Sequence, residues 1–109
     1  MNVLPLLSYF LSGALLCNAL PHFISGVRGE PFQTPFATPP GEGLSSSTVN
    51  VLWGFFNLAA GYALVCRVGQ FDWKSTADVA AFGLGVLALG LFGARHFGRF
   101  HGGHLPKQP

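Results

Sequence analysis

Apolar residues fill three stretches of this chain, 3–20, 49–66 and 77–94, and polar residues punctuate them without alternating. Each stretch runs 18 residues without Lys, Arg or Glu, and Asp78, at the edge of the third, is the one charge in any of them. A helix rises about 1.5 Å per residue, so each reaches roughly 27 Å, close to the hydrocarbon thickness of a bilayer. The pattern predicts an all-α membrane protein with three transmembrane helices and a Pro/Gly/Phe-rich loop between helices 1 and 2. Residues 1–109 form a single integral membrane domain in this reading.

Local signals set the boundaries. Asn2 is a good N-cap and Pro5 is tolerated in a first turn, so helix 1 covers about 3–24. Pro21 lacks a backbone donor and crowds the preceding turn, which predicts a stop at Leu20 or a kink there, with Gly26 and Gly29 as natural ends. Residues 26–47, with Pro31, Pro35, Pro39 and Pro40 among several glycines, predict extended and turn conformations. Phe32 and Phe36 follow two of these prolines. A floppy linker has no use for them, so they are expected to pack on helix ends or the interface and to make the loop a functional surface. Helix 2 is expected over about 48–68, capped by Ser47 or Thr48. Helix 3 is expected over about 76–97, opened by a capping box of Ser75 and Asp78. Residues 98–109 read as a basic, glycine-rich tail that frays.

Composition sharpens this picture. The chain is 50% hydrophobic and 9% charged, against about 25% charged residues in an ordinary soluble domain. Three nearly uncharged helices do not hide inside one small soluble core. The first stretch has no Lys or Arg before it and exceeds a signal-peptide core, so a retained helix is expected. A net charge of +2 without basic runs excludes a nucleic-acid partner. The expected partners are the lipid bilayer and either further copies of the chain or a larger membrane complex. Arg67 and Lys74 fall on one side, and Arg28, Arg95, Arg99 and Lys107 on the other. The positive-inside rule then puts the amino terminus outside and the carboxyl terminus in the cytoplasm, with a bacterial inner membrane as the expected location.

Candidate chemistry is sparse. Asn50, Gly54, Asn57 and Gly61 are spaced by four, three and four, on one face of helix 2. An amide in hydrocarbon needs a partner, and glycines permit close approach, so this stripe reads first as helix packing and second as a polar path. Asn18 and His22 make a second pair four apart, beside Pro21, where the Cys17 carbonyl loses its usual donor. Helix 3 is rich in small residues, with Ala81/Gly85 and Gly90/Ala94 as small-xxx-small pairs. His96 and His101 are five apart, which a continuous helix does not place on one face, and His104 follows two glycines. No Cys/His cluster has metal-ligand spacing, and no hydrolase, P-loop or dinucleotide motif is present, so no metal, cofactor or catalytic residue is expected. The leading expectation is a non-enzymatic membrane subunit or scaffold acting through helix packing. The alternatives are a small oligomeric transporter or channel lined by Asn50 and Asn57, and a quinone- or haem-associated redox subunit using His22.

Overall fold

The computed structural model describes residues 2–106. Three helices are long and apolar enough to cross a membrane: α1 (Val3–Val27), α2 (Ser47–Cys66) and α3 (Thr76–His101). Between α1 and α2 lie β1 (Phe32–Gln33) and β2 (Leu44–Ser45), a two-residue antiparallel ladder with Phe32 opposite Ser45 and Gln33 opposite Leu44. The Pro-rich segment is therefore a small hairpin in addition to its turns.

Each helix starts on a side-chain cap. Asn2 accepts from the Leu4 amide, Ser46 from that of Val49 and Ser75 from that of Asp78. The α2 cap is Ser46, one residue ahead of the expected Ser47, because Ser46 alone combines extended backbone with a hydroxyl facing the third helical amide. The Asp78 carboxylate does not return to its cap; it accepts from the Asp72 amide at 3.0 Å and ties down the short link instead.

The end of α1 lies past the expected 24, between the two glycines also read as natural ends. The helix does not stop at Leu20 or near 24 but continues through Pro21 to Val27. Proline costs one helical hydrogen bond, and an apolar helix recovers that through its neighbours. Termination comes at Gly29, whose φ of +76° suits a residue without a Cβ. The Glu30 amide then donates to Ser25 O and the Gly29 amide to Gly26 O, which closes the last turn. At the other extreme α2 ends at Cys66, short of 68. α3 runs four residues past 97, so 98–101 are helix and not a frayed tail; Lys107 and the rest of the expected basic tail after 106 lie outside the described residues.

α1 is the central helix. It packs along α2 on one side and α3 on the other, while α2 and α3 scarcely meet. Glycines set both contacts. A Cβ at Gly54 would lie 2.7 Å from Phe23 N, and one at Gly61 2.6 Å from the Leu16 side chain. On the other side, a Cβ at Gly13 would lie 2.1 Å from Phe82 O, and one at Gly85 1.9 Å from Phe10 O. Of the two small-residue pairs on α3, the one containing Gly85 makes the crossing. A Cβ at Gly90 would meet only Cys17 Sγ, at 3.7 Å.

Candidate functional site

The polar residues of α1 and α2 meet in one antiparallel seam. Near the 67–75 link, Ser8 Oγ donates to Leu64 O and Ser12 Oγ to Gly61 O, both at 2.6 Å. Further along, Asn18 Nδ2 donates to Asn57 Oδ1 at 3.1 Å. At the loop end His22 Nδ1 lies 2.8 Å from Asn50 Oδ1. Asn50, Gly54, Asn57 and Gly61 are all buried against α1, and both asparagines have no exposed surface.

These contacts settle which atom donates. Asn50 Nδ2 faces three carbonyls, Phe32 O, Ser45 O and Ser46 O, at 3.0–3.2 Å. Its Oδ1 must then accept, so His22 Nδ1 carries the proton, and in the neutral ring Nε2 keeps its lone pair. Similarly, Asn57 Nδ2 donates to Trp53 O at 2.8 Å, so Asn57 Oδ1 accepts and Asn18 presents its amino group. That leaves Asn18 Oδ1 as an acceptor. Neither His22 Nε2 nor Asn18 Oδ1 has a hydrogen-bond partner among the described residues. Neither is sealed off either: the unpartnered polar side-chain atom that is fully enclosed is Trp53 Nε1.

The hairpin closes over this end of the helices. Phe32, Gln33 and Thr34 are buried. The Phe32 ring meets the edge of His22 at 5.4 Å, packs on Phe97 at 4.7 Å and stacks on His101 at 5.0 Å between centroids. Thr34 and Ser45 hydroxyls pair across the ladder at 2.5 Å. Two histidines of α3 hold the loop from the far side. His101 Nε2 donates to Gln33 Oε1 at 2.8 Å. His96 accepts from Arg99 at Nδ1, so its Nε2 carries the proton and donates to Gly41 O at 2.6 Å. The Phe36 ring meets Trp53 of α2 edge-on at 5.0 Å between centroids, and the residue is 64% exposed.

Two clefts flank the upper part of α1. One, of about 510 Å³, lies between α1 and α3 beside Cys17, Gly90, Gly93 and Gly98. The other, of about 450 Å³, has α1 as its floor at Ala14, Leu15, Asn18 and His22, Trp53 and Phe92 as walls, and the loop prolines at 35 and 40 as its cap. Among the described residues no three His, Cys, Asp or Glu side chains gather as a metal set would.

Of the residues singled out from the sequence, the fold joins Asn18 to Asn57 and His22 to Asn50, with Phe32 against His22. Gly54 and Gly61 lie in the same seam, and Phe36 sits apart. Ser8, Ser12, Trp53, His96, His101 and Gln33 belong to this structure and were not singled out for it. Ser8 and Ser12 are four apart on α1, as Asn18 and His22 are, but six residues separate Ser12 from Asn18, so spacing alone does not join the two pairs into one stripe; the pairing of His101 with Gln33 has no local signal. No protein-family model, no curated protein and no solved structure matches the chain.

Proposed function

We propose that the protein is a non-enzymatic integral membrane subunit or scaffold that works through helix packing. One observation carries the reading: the polar groups of Asn50 and Asn57 are spent inside the chain, on α1, on their own helix and on the loop. A polar path needs such amides facing water, and theirs face neighbours. Packing is what small and amide residues do between membrane helices.

The third helix supports a partner. Only 6% of its apolar span is buried, against 28% for α1 and 22% for α2. Leu84, Leu87 and Leu91 are each more than half exposed along one flank. The proposed occupant of that flank is a second copy of the chain or a larger membrane complex. The proposed setting is a bacterial inner membrane, with the amino terminus outside and the loop and carboxyl terminus on the cytoplasmic side, following the charge count.

Native mass spectrometry of the protein released gently from its membrane tests the reading. The expected species exceeds the 11.6 kDa of one chain. A bare monomer would overturn the subunit assignment. Accessibility labelling of single cysteines at Asn2 and Ser45, with Cys17 and Cys66 replaced, tests the orientation: Asn2 is expected to label from outside and Ser45 from the cytoplasmic side.

A further inference from the structure

The cleft of about 450 Å³ has a floor of unusual chemistry. His22 Nε2 and Asn18 Oδ1 are both acceptors without partners, and they stand four residues apart on α1. That spacing puts the two side chains on one face of α1, with Cβ atoms about 5–6 Å apart. The donor assignments above fix both: Asn50 commits His22 Nδ1 as a donor, and Asn57 commits the Asn18 amino group. The unpartnered donor of the cleft wall, Trp53 Nε1, is fully enclosed, so the two acceptors, with no donor between them, call for one from a ligand.

The walls say what carries it. Leu15, Leu89, Phe92 and Phe97 line the cleft, and no Asp or Glu does. A cationic head would have no counter-charge here and would lose its hydration, so the donor is neutral. The volume falls within the usual range for small-molecule sites, which are largely apolar with a few placed polar groups. Access is lateral. The loop covers the end of the cleft at Pro35, Pro40 and Gly41, while α2 and α3 stand apart along its side. In a membrane that side faces lipid.

We propose that this cleft binds a membrane-dissolved molecule with an apolar body and a hydroxyl head, the hydroxyl donating to His22 Nε2 with Asn18 Oδ1 as the second acceptor one turn away. The reading stands whether or not the chain has a protein partner. Two kinds of molecule carry this chemistry, a quinol headgroup and a long-chain lipid alcohol.

Trp53 lines the cleft and gives a reporter; Trp73, the second tryptophan, is 74% exposed at the other end and is removed as Trp73→Phe. The full chain in phosphatidylcholine nanodiscs is titrated with 1-dodecanol and with its methyl ether, which keeps the tail and oxygen but has no donor. Saturable change in Trp53 emission is expected for the alcohol, with affinity at least about tenfold above that of the ether, the worth of one well-made hydrogen bond. In His22→Phe, read on protein with unchanged helical circular dichroism, alcohol and ether are expected to bind alike. Competition then names the source. Decylubiquinol displacing dodecanol, with decylubiquinone failing to, identifies a quinol; failure of both identifies a lipid alcohol. Equal binding of alcohol and ether by the unsubstituted histidine protein, or no saturation by either, would overturn the proposal.

Discussion

The two flanks of α1 are built differently. Toward α2, glycines bring the helices together and hydrogen bonds then lock them along their length, from Ser8–Leu64 at one end to His22–Asn50 at the other. Toward α3, the Gly13 and Gly85 crossing brings backbones together once, and above it the helices part around the 510 Å³ cleft. Glycine alone fixes a crossing point; paired polar groups fix a register over several turns. The contrast puts the rigid part of the molecule on the α2 side and the room for ligand or partner around α3.

The largest expected effect is at that crossing. Gly85→Leu drives a side chain into Phe10 O, which is backbone and cannot rotate away. Detaching α3 is expected to cost at least about 3 kcal/mol, the upper range for overpacking. Gly90→Leu, about one and a half turns further along α3 where space is open, is expected to cost well under half of that. Thermal unfolding in mild detergent reads both, and equal losses would mean that α3 is not held at a single crossing.

The seam toward α2 gives the next effect. Asn57→Leu removes the Asn18 partner and leaves the Asn18 amino group unpaired. The expected loss is about 0.6–2 kcal/mol, the range for an interhelical hydrogen bond between apolar helices. A double-mutant cycle with Asn18→Leu isolates the pair. A coupling near zero would show that the glycines hold this flank alone and would erase the contrast between the two sides.

Much of the rigid flank was readable in the sequence. The spacing of Asn50, Gly54, Asn57 and Gly61 is a property of one helix, and a polar stripe in an apolar helix has to face protein. Serine caps were legible to within a residue for the same local reason. What was not legible depends on two distant segments meeting. His96 and His101 lie about 140° apart around α3 at about 100° per residue, so they share no face. The hairpin wraps the helix end, and the two histidines meet different parts of it, His96 the turn at Gly41 and His101 the strand β1 at Gln33. Pro21 left two ends open in the sequence, Leu20 and the glycines at 26 and 29, because its steric cost is local, whereas the continuation of α1 rests on contacts with α2, where Gly26 lies against Ser47 and Val51. The cleft is invisible for a further reason: it exists because α2 and α3 fail to meet, and no residue pattern encodes a missing contact.

The smallest expected effect concerns how α3, loosely held along its length, is held at its end. The loop bridges both flanks: Phe32 O receives Asn50 from the α2 side, while Gln33 Oε1 receives His101 from α3. His101→Leu keeps an apolar group against Phe32 and removes only the donor. The stranded Gln33 oxygen is then part of a buried residue, so the local cost is about 1 kcal/mol. When opening is fast relative to cleavage, proteolysis follows the open population, and that cost translates into about fivefold faster cutting. Proteinase K cleavage between Arg28 and Ser47 in reconstituted protein measures it. The unsubstituted loop is expected to resist, because Phe32, Gln33 and Thr34 are buried. Phe36→Ala is expected to speed cutting by no more than about two- to threefold, because the residue is 64% exposed and its edge-on contact with Trp53 falls at the low end for aromatic pairs, about 0.5 kcal/mol. Rapid cutting of the unsubstituted loop would mean that the hairpin is not a clasp at all. Equal acceleration by both substitutions would mean that the loop is held as one sheet of contacts, and that α3 has no clasp of its own at His101.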